Sequence, residues 1–153
     1  MVLRNEVIGG FFGIWTGGSQ GVVFSNNTHH GFLGIILCKV PAGGYTVDGA
    51  SIETQGSSIS WLGAYNTSHD NSFVGYLVID GAHNNLMQRN SSDNNGAYDY
   101  YLVGDSHLFG FYTPKAYNNT IQAYGYQTVK DCADNSTIYG GIRVDLSKDP
   151  CDN

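Results

Sequence analysis

The sequence has 153 residues, enough for one domain with a substantial core. Seven basic against thirteen acidic residues give a net charge of −6, which argues against nucleic acid or an anionic lipid surface as the partner. Charged residues are only 13% of the chain and aromatic residues also 13%, a balance unlike that of disordered proteins. No apolar run approaches the roughly 20 residues of a membrane-spanning helix.

A repeat opens the chain. GFFGIW at 10–15 aligns with GFLGII at 31–36, and LRN at 3–5 aligns with FSN at 24–26, at a spacing of 21 residues. A period of this size is typical of a unit that buries its apolar face by stacking on copies of itself. No signal peptide is visible, and the first repeat begins without a cap. We therefore interpret Met1 as a start codon in front of an excised segment.

Short runs that favour β-structure recur along the chain, separated by Gly, Asn, Asp and Ser. They are VVF at 22–24, FLGIIL at 32–37, ISWL at 59–62, FVGYLVI at 73–79, YDYYLV at 98–103, TIQAY at 120–124 and STIYGGIRV at 136–144. No window of a dozen residues shows the apolar spacing of a helix without a Gly or Asn that interrupts it. The sequence therefore predicts an all-β chain.

A polar pair precedes a strand start four times. The pairs are Gln20-Gly21, Asp70-Asn71, Asn84-Asn85 and Asn118-Asn119. Asn side chains at the same corner of successive coils can hydrogen-bond along a stack, as Asn ladders do in cross-β assemblies. The strand start at 86 has two interpretations: it opens another side of the coil begun at 72, or it heads a coil of its own, because Arg89-Asn90 repeats Arg4-Asn5.

The period fails at two segments. KVPAGGY at 39–45 is predicted to be a loop inserted at a corner, since Pro41 and two glycines disfavour the centre of a strand. GDSHLFGFYTPKAY at 104–117 is longer than a turn requires. Insertions in a solenoid lie on one face, often the binding face. The polar tail at 146–153 is interpreted as a terminator of the last exposed edge.

The three cysteines form neither a disulfide framework nor a zinc pattern. Cys38 follows an apolar run and is predicted to be a small buried side chain. Cys132 and Cys151 either join the tail to the body by a disulfide or remain free, and their spacing leaves both alternatives open.

Coils of 21–25 residues, the G-(F/L)-G-I strand, the Asn pairs and the low charge resemble the right-handed parallel β-helix repeat proteins, in particular the Asn-rich repeat modules of the pectate-lyase-like superfamily. The resemblance implies a single-stranded solenoid of about six coils over residues 1–145, with a capping tail at 146–153. It also implies an extracellular or cell-envelope location and contact with polysaccharide.

Polysaccharide cleavage needs carboxylates that converge on one face. Asp70, Asp80, Asp93 and Asp99 are the candidates, and Asp80 and Asp99 are the two we single out as catalytic. Asp99 aligns with Gly13 and Gly34 of the repeat, so it replaces a glycine. The alternative for all four is a structural role in turns or on outward strand positions.

Two metal sites are considered. His69 and His83 each stand one residue before a polar pair, so rings at stacked corners would lie about 5 Å apart and could bind copper or zinc. The alternative is simple ring stacking at a turn. Asp93, Asn94 and Asn95 offer the oxygen ligands of a calcium site.

Aromatic residues crowd the last third of the chain. The set we predict to bind a glycan is Tyr98, Tyr100, Tyr101, Phe111 and Tyr112, with Tyr117, Tyr124 and Tyr126 nearby. On an alternating strand some of these side chains point outward, where Tyr rings suit the faces of sugars. Others belong to the core.

The sequence thus favours a non-catalytic β-helix module that contacts carbohydrate through 98–126. One alternative is a polysaccharide lyase, hydrolase or epimerase that acts on acidic polysaccharide. Another is a structural solenoid whose open first coil stacks on a second copy or on an upstream domain, because an open coil exposes a template for strand pairing.

Overall fold

The computed structural model describes residues 2–8, 12–17, 23–25, 28–30, 43–48, 62–71, 73–79, 81–108 and 111–151. Within these ranges the chain consists of strands and turns, without a helix. None of these residues therefore forms a helix that could cross a membrane. The strands are short because Asn, Asp or Gly interrupts each run after a few residues. The prediction of an all-β chain is confirmed.

Three parallel sheets hold most of the described strands. Sheet A contains, in spatial order, β1 (Val2–Leu3), β4 (Val23–Ser25), β7 (Leu62–Ala64), β10 (Leu86–Gln88), β15 (Thr120–Gln122) and β17 (Thr137–Tyr139). Sheet B contains β11 (Ser91–Asp93), β8 (Thr67–His69), β5 (Thr28–His30) and β2 (Glu6–Ile8). Sheet C contains β18 (Ile142–Arg143), β16 (Thr128–Asp131), β12 (Tyr98–Leu102), β9 (Val74–Ile79), β6 (Gly43–Asp48) and β3 (Phe12–Gly17).

The chain visits these sheets in turn, and we call each round a passage. In the described residues the first four passages add one strand to each of sheets A, B and C, and the last two add strands to sheets A and C alone. Strands of neighbouring passages pair in parallel and in register. Leu62 pairs with Leu86, Thr67 with Ser91, and Val74 with Tyr98. The start at 86 therefore heads a passage of its own, the second of the two interpretations.

Eight corners in the described ranges repeat one backbone device. A residue other than glycine with a positive φ ends the strand, and a short amide or hydroxyl residue follows it. The positive-φ residues are Arg4, Tyr65, Asp70, Asn84, Arg89, Asn94, Asn118 and Asn135. The residues that follow them are Asn5, Asn66, Asn71, Asn85, Asn90, Asn95, Asn119 and Ser136. The left-handed conformation costs roughly 1–2 kcal/mol at each such residue, so each corner must be stabilised by other contacts.

Asn side chains stabilise the corners by bonding from one passage to the next. Asn66 donates its backbone N–H to Asn90 Oδ1 at 2.9 Å and its Nδ2 to the same oxygen at 3.1 Å. Asn85 makes the same pair of bonds to Asn119 Oδ1, at 3.1 and 2.8 Å. The predicted Asn ladder is confirmed at the corner that contains Asn85 and Asn119. The corner of Asn66 and Asn90 carries a second ladder.

The core lies between sheets A and C. Met87 and Ile121 of sheet A pack with Tyr76, Tyr100 and other residues of sheet C, and all four side chains are buried. Sheet B contributes small inner residues, Ser68 and Ser92 in the described strands. The tyrosine rings use that space, since the Tyr76 hydroxyl reaches the carbonyl oxygens of Asn66 and Ser91, at 3.1 and 3.0 Å.

The register of the first repeat differs from the alignment. Val2 pairs with Phe24 and Glu6 with Thr28, one residue further along than the 21-residue match places them. Ile14 pairs with Tyr45 rather than with Ile35, and residues 31–42 lie outside the described ranges. The alignment was wrong here because identical letters in Gly- and aromatic-rich strands do not fix which strands are neighbours in space.

The two predicted insertions have different outcomes. Residues 43–45 begin β6, so the loop predicted at 39–45 is wrong for this part, and 39–42 lie outside the described ranges. The segment 104–117 is an insertion, because it carries an antiparallel hairpin of β13 (Ser106–Leu108) and β14 (Phe111–Thr113).

The C-terminal tail folds back onto the outer side of sheet C. Cys132 and Cys151 form a disulfide, which answers the question that their spacing left open, while Cys38 lies outside the described residues. A turn at 145–149, in which Asp145 accepts bonds from the Lys148 and Asp149 N–H groups, directs the tail toward that disulfide.

The first prediction concerns the Asn ladder. Asn90→Ala removes the oxygen that accepts both Asn66 donors and leaves them buried. We expect a loss of about 2–4 kcal/mol in the free energy of unfolding, measured by urea denaturation. Gln122→Ala, an exposed amide on sheet A, is the control and should change stability by less than about 0.5 kcal/mol. Equal effects of the two substitutions would contradict the ladder's role.

The second prediction uses two glycines. A Cβ on Gly75 would lie 2.2 Å from Ser92 Oγ and 2.9 Å from the Asp99 carbonyl oxygen, whereas a Cβ on Gly125 meets nothing within 4 Å. Gly75→Ala should therefore destabilise the protein by about 1–3 kcal/mol, and Gly125→Ala should be nearly neutral. The midpoints of thermal unfolding of the two variants test this difference directly.

Candidate carbohydrate-contacting surface

An exposed aromatic turn lies where sheet B ends. After β11, the last strand of sheet B, the chain runs from β15 in sheet A to β16 in sheet C through residues 123–127 alone. Five residues are too few for two corners and a strand, so this passage contributes no strand to sheet B. We refer to residues 123–127 as the aromatic turn.

Gln127 fixes the aromatic turn from inside. Its side chain is fully buried, its Nε2 donates to the Asn90 carbonyl oxygen at 3.1 Å, and its Oε1 accepts the Tyr124 N–H at 2.7 Å. The Gln127 N–H donates to the Tyr124 carbonyl oxygen at 3.0 Å, which closes a β-turn. Both ends of the turn are therefore anchored to the body.

The turn presents two parallel rings. Tyr124 and Tyr126 are 45% and 59% exposed. Their ring centroids are 6.0 Å apart and their planes differ by 3°. Parallel, anchored rings of this kind offer apolar faces together with hydroxyl groups, a combination that suits the alternating C–H and O–H surfaces of sugar rings.

A carboxylate affects the pKa of one of the two tyrosines. Asp93 ends β11 and is exposed. Partial burial raises the pKa of the Tyr126 hydroxyl above its ordinary value, and the negative charge of nearby Asp93 raises it further.

Three of the predicted glycan-binding residues are placed differently from the expectation. Tyr100 is 0% and Tyr101 2% exposed, so neither ring is available to a ligand, and the prediction is wrong for both. Tyr100 stacks on Tyr76 within the core, with ring centroids 4.8 Å apart. Burial raises the pKa of the Tyr100 hydroxyl. Tyr98 is half-buried.

Tyr98 and Tyr101 enclose a lysine together with the tail. Lys130 Nζ lies 5.2 Å from the Tyr98 ring centroid and 5.3 Å from that of Tyr101. It also contacts Asp149 Oδ1 at 2.8 Å, and the Tyr98 hydroxyl donates to the other oxygen of this carboxylate. Tyr98, Lys130 and Asp149 thus form a clasp that holds the tail, which gives Tyr98 a structural role.

The other two predicted aromatics belong to the hairpin. Phe111 and Tyr112 lie in β14. Tyr112 is 60% exposed and its hydroxyl donates to Asp105 Oδ1 at 2.8 Å. The Lys115 N–H donates to the same oxygen at 3.1 Å. The glycan-binding prediction for these two residues stays a prediction.

The predicted catalytic carboxylates are not brought together among the described residues. Asp80 lies outside the described ranges. Asp99 is 8% exposed and accepts three bonds, from the Thr128 N–H at 2.8 Å, the Thr128 hydroxyl at 3.1 Å and Asn95 Nδ2 at 3.2 Å. The bonds from Thr128 join two neighbouring passages, which gives Asp99 a structural role. Asp99 lies between Tyr98 and Tyr100, which pair with Val74 and Tyr76 on either side of Gly75. Gly34, one of the two glycines to which the sequence aligned Asp99, lies outside the described ranges.

The two histidines of the predicted metal pair lie at different corners. His69 ends β8 in sheet B and is in register with Asp93. His83 precedes sheet A, stacks on Tyr117 with ring centroids 4.3 Å apart, and its Nδ1 lies 2.8 Å from the Gly81 carbonyl oxygen. A metal site that joins these two histidines is therefore wrong. Equal distance from a polar pair in the sequence does not place two residues at one corner.

The calcium triplet serves the corner between sheets B and C. Asn94 has a positive φ and donates its Nδ2 to Asp70. Asn95 Oδ1 accepts Asn71 Nδ2 at 2.8 Å. Asp93 lies on the outer face, so the three side chains do not converge in this conformation. Within the described part of the chain, no three metal-ligating side chains form a cluster.

Sequence reasoning named Tyr124 and Tyr126 only as neighbours of the predicted set. The signal for their turn was the short Tyr-Gly-Tyr interval between two strand starts, which leaves no room for a sheet B strand. No family model matches the chain, and neither a curated protein nor a solved structure gives a significant match.

The third prediction concerns the clasp and pH. Hydrogen bonds from Lys130 and then Tyr98 hold the pKa of Asp149 below its ordinary value of 3.8. A lowered pKa in the folded state means that the clasp stabilises the fold above about pH 4 and loses this contribution as pH falls through the folded pKa. Asp149→Asn should lower the midpoint of thermal unfolding at pH 7 and leave it nearly unchanged at pH 2.

Lys130→Met, which keeps the length of the side chain, should reduce the same pH dependence. If the midpoint of thermal unfolding changes with pH between 2 and 7 by the same amount in the wild type and in Asp149→Asn, the clasp does not contribute to the pH dependence of stability.

Proposed function

We propose that this chain is a right-handed parallel β-helix module of the cell envelope or extracellular space that binds a neutral polysaccharide through the aromatic turn. The single observation that carries the proposal is the anchored, exposed and parallel pair of rings at Tyr124 and Tyr126.

The winding is supported by the order of strands. Successive strands along the chain join sheets A, B and C in turn and pair with the passage before, as the coils of a β-helix do. Crossover connections between parallel strands of one sheet are right-handed in nearly all proteins, which favours a right-handed coil. The Cys132–Cys151 disulfide supports an oxidising compartment outside the cytosol.

Charge favours a neutral ligand. The chain carries a net charge of −6, and the negative charge of Asp93 contributes to the raised pKa of the Tyr126 hydroxyl in the aromatic turn. A polyuronate would meet repulsion from these negative charges, whereas a neutral polysaccharide would not. The buried, fully bonded carboxylate of Asp99 gives no support to a role as acid or base in the cleavage of an acidic polysaccharide.

The fourth prediction tests the rings. We expect affinity electrophoresis in gels that contain neutral glucans, mannans or xylans to retard the wild-type protein more than gels with polyuronates. Tyr124→Ala and Tyr126→Ala should each weaken binding about tenfold, because each loses a stacking contact worth about 1 kcal/mol or more. Tyr126→Phe keeps the ring and should retain most of the binding.

Tyr139→Ala is the matched control, since Tyr139 is 58% exposed but lies on β17 outside the aromatic turn. Binding that survives the double variant Tyr124→Ala/Tyr126→Ala, or that falls equally with Tyr139→Ala, would overturn the proposal. Release of reducing ends or unsaturated products from any polysaccharide in the panel would instead identify an enzyme.

A further inference from the structure

Two tethers hold the C-terminal tail to the rest of the described chain. We call residues 145–151 the strap. One tether is the disulfide of Cys151 with Cys132, which directly follows β16. The other is the clasp, in which Asp149 contacts Lys130 and Tyr98. In the described ranges no further hydrogen bond or ion pair joins the strap to another part of the chain.

The remaining bonds of the strap are internal. The Lys148 and Asp149 N–H groups donate to the Asp145 carbonyl oxygen, and the Ser147 N–H donates to Asp145 Oδ1 at 3.1 Å. Leu146 is 39% exposed and belongs to neither of the two buried apolar clusters. The strap can therefore leave sheet C as a unit without removing a side chain from these clusters.

The strap keeps a cation from solvent. The Lys130 side chain is only 4% exposed, and its Nζ lies over the rings of Tyr98 and Tyr101. Asp149 supplies the carboxylate at this ammonium group, at 2.8 Å. The accessibility of Lys130 therefore reports whether the strap is in place.

We propose that the strap is a redox-controlled cover of Lys130 and the Tyr98 ring, which a dithiol reductant opens while sheets A, B and C stay folded. With the disulfide closed, the strap is held covalently and the clasp only has to position it. With the disulfide open, the clasp alone must hold it. Asp149 is 42% exposed, and an ion pair open to solvent stabilises little, whereas ordering the backbone costs conformational entropy at every residue. The open position is therefore favoured after reduction.

The opening step is a thiol–disulfide exchange. A thiolate of the dithiol attacks one sulfur of the Cys132–Cys151 bond, and the other cysteine sulfur leaves as a thiolate and takes up the proton that the dithiol released. The second thiol of the reductant then displaces the mixed disulfide. The protein gains two thiols and the dithiol becomes a disulfide. Both cysteines are partly exposed, which permits the attack. The inference does not depend on glycan binding.

The experiment is residue-resolved labelling of lysines in the full chain. The oxidised protein is compared with protein that has been reduced with dithiothreitol and alkylated with iodoacetamide. Acetylation by acetic anhydride, read at each lysine by mass spectrometry, should become at least about tenfold faster at Lys130 after reduction, as expected for a local opening. Lys115 is the internal reference, because it is 39% exposed and contacts Asp105 and Asp134 rather than the strap. Its rate should not change.

Two variants control the comparison. Cys132→Ser/Cys151→Ser should show fast acetylation of Lys130 without any reductant. Cys38→Ser keeps the disulfide and should behave like the wild type before and after reduction. Slow acetylation of Lys130 in the reduced wild type, in reduced Cys38→Ser or in the double variant would overturn the proposal. Equal acceleration at Lys130 and Lys115, with loss of β-structure in circular dichroism, would also overturn it, because the disulfide would then hold the whole fold rather than the strap.

Discussion

The hydrogen bonding of the corners is the constraint on which the described structure depends. At eight described corners a residue other than glycine has a left-handed conformation. At most of them the next residue is a buried Asn: Asn66, Asn71, Asn85, Asn90 and Asn119. At this inward position an amide is well suited, because one oxygen can accept both the backbone and the side-chain donor of the Asn in the passage before. The same bonds that stabilise a corner also fix its register with the next passage. Local conformation and stacking are thus satisfied together, which explains why Asn recurs at the corners.

The end of sheet B follows from what fills the interior. Tyr76 and Tyr100 stack and reach toward the corner between sheets A and B. In the next passage Val129 takes the place of Tyr100, and a valine cannot reach that corner. Gln127 occupies the space and bonds to the Asn90 carbonyl oxygen instead. Because smaller side chains fill this passage, it has no strand in sheet B. The chain crosses directly from sheet A to sheet C, and this short connection is the aromatic turn.

The sequence predicted the strands and the Asn pairs well, because both depend on local chemistry. The match between Arg4-Asn5 and Arg89-Asn90 was also sound, since both arginines have a positive φ at the corner between sheets A and B. Neighbouring strands in space were harder to predict. Ile14 looks like Ile35 but pairs with Tyr45, because the length of chain between sheets varies while the corner device does not. The prediction of a metal site at His69 and His83 failed for the same reason, because these residues have similar flanking residues but lie at two different corners.

The burial of Tyr101 shows why the two-residue alternation of a strand could not identify the exposed aromatic side chains. Tyr100 and Tyr101 belong to separate apolar clusters on the two faces of sheet C, so one of them does point away from the core between sheets A and C. Pointing outward did not mean exposure, because Leu77, Tyr101 and Val103 on that face are buried.

Sheet B differs, since its outer residues in β8 and β11 are polar and partly exposed. Asp93 on this face is in register with His69, and after partial burial its negative charge contributes to the raised pKa of the Tyr126 hydroxyl. A side chain that points outward is therefore buried on sheet C and partly or fully exposed on these strands of sheet B, so alternation along a strand does not by itself identify the accessible surface.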